Sequence, residues 1–457
     1  MKAGDNLRRG VSLSAFFLTA SVFLSTLTCS AQTVVMPEIL TLKKAIEVAL
    51  TNHPAIEAQS GQVASGEAKL GQARGSYYPH INLSTSYTTI WPVKQETATT
   101  TSSSGLPPGN YVPTGLAHRA YEQYAAVGSL SQLLFDFGKT GAQVKAQKLS
   151  AEAARYDLAS TKEQVIFDVK QSYYNLLAAQ RARGVTVKSV EQFKKQLEQA
   201  QVVYEEGARP KLDVTKAEVD LSNAEVNQTR AEYGVRVARA TLNNAMGLPE
   251  EGSTYTLEDD LVSGTTDLSL EEALRIAFAQ RPDFLSVQKR KEAAQQSVKA
   301  TQRAHLPTIN GSATFTYVGT KFPIDHGWTA GAFMVLPLFN GFVTSYQVAE
   351  AVAVLKVETA NERSLRQTIF LDLEQGYLAL NEATKRIWST EVALKQATEN
   401  AELATERYEA GLATAIEVSD ALTAYANAEF AYIGALYDRK IAQARIDKAI
   451  GNSRNNQ

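Results

Sequence analysis

The chain has 457 residues, 44% apolar and 21% charged, with 46 Lys and Arg against 48 Asp and Glu, a net charge of −2. That near balance lacks the basic footprint of a nucleic-acid-binding protein, and a single cysteine excludes a disulfide framework or a Cys-based zinc or iron–sulfur centre. The histidines His53, His80, His118, His305 and His326 form no HxH or HxxxH pair, so a His-based metal site is not indicated either.

Residues 1–31 read as a secretory signal peptide. Lys2, Arg8 and Arg9 precede an apolar stretch from Val11 to Leu27, and Cys29-Ser30-Ala31 offers small residues for cleavage after Ala31. One alternative is a lipoprotein signal ending at Cys29, against which Thr26 and Thr28 occupy the places where such signals carry Leu and a small residue. An uncleaved membrane anchor is the other. Cleavage after Ala31 removes Lys2, Arg8, Arg9 and Asp5, leaving a cysteine-free mature chain of net charge −4. No later apolar run reaches the ~18 residues that a membrane-spanning helix needs.

The remainder contains two copies of one plan. Leu40-Thr41-Leu42-Lys43-Lys44-Ala45, with Ala49 and Pro54, matches Leu268-Ser269-Leu270-Glu271-Glu272-Ala273, with Ala277 and Pro282, at an offset of 228. Pro79, Ile81, Asn82 and Ser84 keep that offset to Pro307, Ile309, Asn310 and Ser312. From Phe135/Phe339 through Tyr173/Tyr377, Tyr204/Tyr408 and Gly207/Gly411 to Gly247/Gly451 the offset is 204. The first copy therefore carries 24 extra residues between Tyr87 and Phe135, where the Thr-, Ser-, Gly- and Pro-rich run 97–109 suits an exposed loop. These boundaries give a first repeat over 32–247, a linker over 248–267, a second repeat over 268–451 and a tail over 452–457.

In the first repeat, alternation over 80–92 places Ile81, Leu83, Thr85, Tyr87, Thr89 and Trp91 on one face and Asn82, Ser84, Ser86, Thr88 and Ile90 on the other, mostly apolar against mostly polar, the pattern of a strand with one wet side. A second strand is expected over 121–135, and their counterparts over 308–320 and 328–339. No proline lies between Pro113 and Pro210, and Ala142, Ala146, Leu149, Ala153 and Tyr156 step 4-3-4-3, a narrow coiled-coil seam. Val165, Val169, Tyr173 and Leu176 continue it, then Val190, Phe193 and Leu197. A helix over 138–205 would be roughly 100 Å long, and Glu206–Pro210 turns the chain into a return helix over 210–246. Four strands cannot close a barrel alone, so an exported chain of this kind needs further copies; three would supply twelve strands.

In this order and spacing the residues resemble the TolC-like outer-membrane efflux proteins over about 40–451. The resemblance rests on the tandem openings LTLKKAIEVALTNHPAI and LSLEEALRIAFAQRPDF and the strand-to-helix joints Leu134-Phe135-Asp136-Phe137-Gly138 and Leu338-Phe339-Asn340-Gly341. The hairpin tip Arg407-Tyr408-Glu409-Ala410-Gly411 is its most specific part. It implies a mainly α fold with a membrane β-barrel: a homotrimer with a 12-stranded barrel in the outer membrane and an α-helical tunnel in the periplasm. It also implies a periplasmic adaptor protein and an inner-membrane efflux pump or ABC transporter as partners, in drug efflux or type I secretion.

The same resemblance assigns an acidic constriction to Glu417 and Asp420, with Asp213 from the first repeat, and adaptor contacts to Tyr204, Gly207, Tyr408 and Gly411. Lys216 stands in the first repeat where Asp420 stands in the second, and Glu417 replaces the family's more usual Asp. Thr414-Ala415-Ile416-Glu417 also fits a helix capping box, so Glu417 has a structural reading beside the functional one. Arg209 and Arg407 are candidates for tip ion pairs, with solvated surface arginines as the default. No nucleophile elbow, P-loop or dinucleotide fingerprint is present, which argues against an enzyme, and no cofactor is indicated. A trimeric coiled-coil adhesin or scaffold is the alternative; it should confine its barrel strands to one terminal segment instead of repeating them in each half.

Overall fold

The computed structural model describes residues 39–91, 120–207, 209–248, 255–259 and 268–451. The signal segment with Cys29, the loop at 97–109 and the tail lie outside the described residues.

Each half runs through the same elements. The first is β1 (Ile39–Leu40), α1 (Leu42–Asn52), α2 (Pro54–Gly75), β2 (His80–Ile90), β3 (Tyr121–Phe135), α3 (Lys139–Glu205) and α4 (Lys211–Ala245). The second is β4 (Thr256–Leu257), α5 (Leu270–Gln280), α6 (Pro282–Gln302), β5 (Thr308–Gly319), β6 (Asp325–Val335), α7 (Val343–Glu409) and α8 (Ala415–Ile450). Thr41 and Ser269 cap α1 and α5 by accepting from the amides of Lys44 and Glu272. Pro54 and Pro282 cannot continue those helices and hold His53 and Arg281 extended, then open α2 and α6 from the first turn.

The two long helices are 67 residues each, roughly 100 Å, and the return helices fold back along them. The α3 seam is buried at Ala142, Ala146, Leu149, Ala153, Val165, Val169, Tyr173, Leu176 and Phe193, while Tyr156, Val190 and Leu197 are half-buried. Each half has its own core where the short helices meet the long one. Val165, Val169 and Leu176 pack with Ile46, Leu242 and Met246; Ile369 and Leu373 pack with Ala273, Phe284 and Ile446. The repeated tyrosines have a shared use: Tyr173 donates to the carbonyls of Leu40 (2.9 Å) and Glu258 (2.6 Å), and Tyr377 to that of Leu268 (2.7 Å). Burial pushes both phenols above the ordinary tyrosine range, and the nearby carboxylates Glu258 and Glu272 add a smaller push in the same direction.

The structure corrects two expectations. The stretch expected as a linker contains β4, which pairs in parallel with β1, and the buried Tyr255 precedes it. The last strand is Asp325–Val335, not 328–339. Residues 325–327 still find partners on β5, whereas Pro337 has no amide hydrogen to give a ladder and Phe342 turns left-handed (φ 63°) into α7. The strands β2, β3 and β5 and the helices α3 and α4 begin and end within two residues of the bounds expected for them.

The sheet order is β2-β3-β5-β6, antiparallel throughout. Its register puts most of the large apolar residues of the four strands on one face, with Val127, Leu133, Val318 and Phe333 on the other: Ile81 lies beside Leu130, which in turn pairs with Ala313, and Tyr87 lies beside Tyr124. On the same face Phe315 pairs with Trp328 and Ile309 with Met334. Asn82, Ser129, Thr314 and Thr329 line up on the opposite face.

Gly247 and Gly451 end the two return helices at φ +70° and +80°, each against a proline kink of its own half. A Cβ at Gly247 would lie 2.7 Å from His53 Cα, and one at Gly451 2.9 Å from Arg281 Cα. We expect Gly247→Ala and Gly451→Ala each to destabilise the fold by about 2–3 kcal/mol, since strained φ and a backbone clash combine. Thermal unfolding checks this against Gly61→Ala, a helical site with open space around it. Equal melting temperatures for all three variants would refute the close-approach argument.

Candidate functional site at the hairpin tips

The two helical hairpins end side by side. Gly207 (φ +73°) follows α3 and Gly411 (φ +76°) follows α7, their amides bonded to the carbonyls of Tyr204 (2.9 Å) and Tyr408 (3.0 Å). Just behind the tips Phe193, Ala224, Ala401, Tyr408, Val418 and Leu422 form one apolar cluster drawn from α3, α4, α7 and α8.

Arg209 joins the tips. Its Nη2 donates to the carbonyl of Ala413 at 2.8 Å, its guanidinium lies 5.5 Å from the centre of the Tyr408 ring, and Nη1 is 3.9 Å from Asp213. The default of a solvated arginine therefore fails for Arg209. Arg407 is more exposed and lies 3.8 Å from Glu417.

The repeat-related tyrosines have different surroundings. Tyr204 is 43% exposed, whereas Tyr408 is 6% exposed and its hydroxyl is buried without a hydrogen-bond partner among the described residues. Gly207 and Gly411 are both exposed. A surface contact can therefore use Tyr204, Gly207 and Gly411 directly, and Tyr408 only after the tip loosens.

The three candidate carboxylates also differ. Asp213 and Glu417 are the third residues of α4 and α8. Thr414 caps α8 through the Glu417 amide (3.3 Å), and the Glu417 carboxylate accepts from the Thr414 amide (3.3 Å), a complete capping box. At the start of α4 Pro210 has no side-chain acceptor, so no such box forms and Asp213 faces Arg209 instead. Asp420 is exposed and has no hydrogen-bond or ion-pair partner among the described residues. Asp213 and Arg209 of the first hairpin are thus brought together with Tyr408 of the second, while Glu417 and Asp420 lie on the first turns of α8.

One polar group at the tips has no clear signal in the sequence. Asp220 on α4, itself buried, accepts from Lys216 and from Ser419 Oγ on α8 (2.6 Å), tying the two hairpins together close behind the tips. An acid four residues after a lysine suggests only a surface helix pair; Ser419 shows no periodic feature that would link it to α4.

Long paired helices, an amphipathic four-stranded sheet and joined helical tips are the parts of an outer-membrane efflux duct with a periplasmic helical tunnel. The family model for outer membrane efflux proteins matches residues 45–248 and 273–452, and the chain belongs to that family. It is 22% identical over 337 residues to the outer membrane efflux protein BepC of Brucella suis, covering 72% of this chain and 73% of BepC. It is 20% identical over 427 residues to the outer membrane protein TolC of Escherichia coli, covering 90% of this chain and 82% of TolC. The crystal structure of the Campylobacter jejuni CmeC outer membrane channel superposes with a TM-score of 0.79 at 17% identity, covering 90% of this chain and 86% of that one.

Proposed function

We propose that three copies of this chain form one non-enzymatic exit duct that conducts substrates passively from an inner-membrane transporter to the exterior. The observation that carries the reading is the sheet. Its outer strands β2 and β6 are 11 residues each, the length of a membrane strand, and each has an edge unpaired among the described residues. Lipid has no water to satisfy such edges, so a sheet with one largely apolar face set in it must close. An even number of antiparallel strands per copy lets β6 of one copy meet β2 of the next antiparallel, and three copies give a barrel of twelve. Its more apolar face meets lipid and the face richer in Ser, Thr and Asn lines the pore. Among the described residues no helix is long and apolar enough to cross a membrane.

At the far end, Glu417 and Asp420 of the second hairpin and Asp213 of the first form the constriction. Tyr204, Gly207 and Gly411 offer the surface for a periplasmic adaptor, which reaches Tyr408 when the tips part. A cleft of about 480 Å³ between α3 and the second hairpin carries Gln196, Gln199, Glu402, Glu406 and Glu409, suited to a partner with basic and amide side chains. The adaptor in turn links the duct to an efflux pump or an ABC transporter.

The assembly is tested by native mass measurement on detergent-extracted protein, for which three times the mature chain mass is expected. A monomer would overturn the barrel, and a dimer would contradict the three-fold count.

A further inference from the structure

A second feature lies away from the tips, between α3 and α4 beside the first-half core. A cleft of about 930 Å³ is lined there by Gln180, Arg183, Glu232, Arg236, Arg239 and Asn243. Three guanidinium groups face one carboxylate, so the cleft holds an excess of two positive charges. Glu232 is engaged by Arg183 at 3.6 Å. Arg236 and Arg239 have no carboxylate partner among the described residues; they lie over the rings of Tyr233 (5.4 Å) and Tyr255 (5.6 Å). The Arg239 Nε is buried without a hydrogen-bond partner among the described residues. Asn243 is 6% exposed, and its Oδ1 accepts from the Tyr255 hydroxyl at 2.7 Å, which leaves its amide nitrogen to donate.

The hairpin fold does not require this cluster. At the offset of 204 the second half has Thr384, Ile387, Leu436, Lys440, Gln443 and Asp447 in the same places, with Lys440 and Asp447 buried. The duplicated helices thus keep their seam while the arginine trio occurs once. The guanidinium fork matches a carboxylate in shape and charge.

We propose that this cleft binds an organic polycarboxylate, with two carboxylates on Arg236 and Arg239 and its carbon skeleton against Val235 and Ala240. The amides of Gln180 and Asn243 supply further donors. The breadth of the cleft and its apolar wall favour such a ligand over a lone phosphate ion. Two sources share the chemistry, a free small polycarboxylate and a run of acidic residues in a peptide.

Calorimetric titration of the detergent-extracted full-chain assembly tests the site with citrate, tetraglutamate and inorganic phosphate as probes. Saturable binding of citrate or tetraglutamate is expected, weakened about tenfold or more by Arg236→Ala and by Arg239→Ala, since each removes a charge-assisted pair. Arg239→Lys should lose less than Arg239→Ala, and Arg363→Ala, an exposed charge on α7, should bind like the unaltered protein. Tighter binding of tetraglutamate by about tenfold assigns the peptide source; equal or tighter binding of citrate assigns the free anion. Absence of saturable binding by both, affinity unchanged in Arg236→Ala/Arg239→Ala, or phosphate binding as tightly as citrate would overturn the assignment.

Discussion

Ducts carrying Arg209→Ala are expected to pass several-fold more resting current in planar bilayers than the unaltered protein. Arg209 is one of the side chains that bond the two hairpins at their tips, through the Ala413 carbonyl at 2.8 Å and the face of Tyr408. A hydrogen bond from a charged donor contributes ~1.5–3 kcal/mol and a cation–π contact ~0.5–1 kcal/mol, part of which solvent screens at this partly exposed site. The 3.9 Å approach to Asp213 adds little, because an ion pair that long and open to water is weak. A net loss on the order of 2 kcal/mol shifts a two-state tip equilibrium roughly 30-fold toward the parted form. Arg209→Lys keeps the charge without the planar fork and should fall between the two. Identical conductance in all three proteins would show that the clamp holds local structure without controlling passage.

The second expected result concerns ion selectivity. Asp420→Asn should lower the preference for cations several-fold, because this carboxylate is exposed, unpartnered among the described residues and repeated around the proposed three-fold axis. Glu417 needs a finer test, since it has two jobs in the geometry. Glu417→Gln removes the charge but can retain the capping box, whereas Glu417→Ala removes both and should cost about 1 kcal/mol of stability as well. A fall in selectivity with Glu417→Gln at unchanged thermal stability assigns an electrostatic role. Selectivity unaffected by Glu417→Gln and Asp420→Asn together would remove the acidic constriction from the proposal. Both effects should shrink as salt rises, as expected for charges exposed to water.

Much of the architecture is legible in the residues because it follows from local periodicity. The 4-3 steps at Ala142, Ala146, Leu149 and Ala153 define a helix seam, and the alternation from Ile81 to Tyr87 defines a two-faced strand. The boundary of β6 is less legible: composition continues apolar through Leu336 and Leu338, and the strand stops where Pro337 and the left-handed Phe342 end its backbone pairing. The tips are read only in part. Tyr204 and Tyr408 are equivalent in the repeat, yet one is exposed and the other buried beneath Arg209, a difference that the motif around each cannot carry. The capping box at Thr414 and Glu417 is visible because all its members lie within four residues.

A content of 44% apolar residues with near-neutral charge describes a globular average. The order of residues is far more informative: the duplication, the long helices, the four strands and the family are all written in spacing along one chain. How those parts meet is a matter of packing in three dimensions. It sets the register that gathers most of the large apolar residues of four strands on one face, the Arg209 clamp, the Asp220–Ser419 tie and the arginine-lined cleft. The reason is distance along the chain. Arg209 and Ala413 are 204 residues apart and Asp220 and Ser419 are 199 apart, so their contacts depend on how two rigid hairpins pack together and leave no periodic trace in either segment.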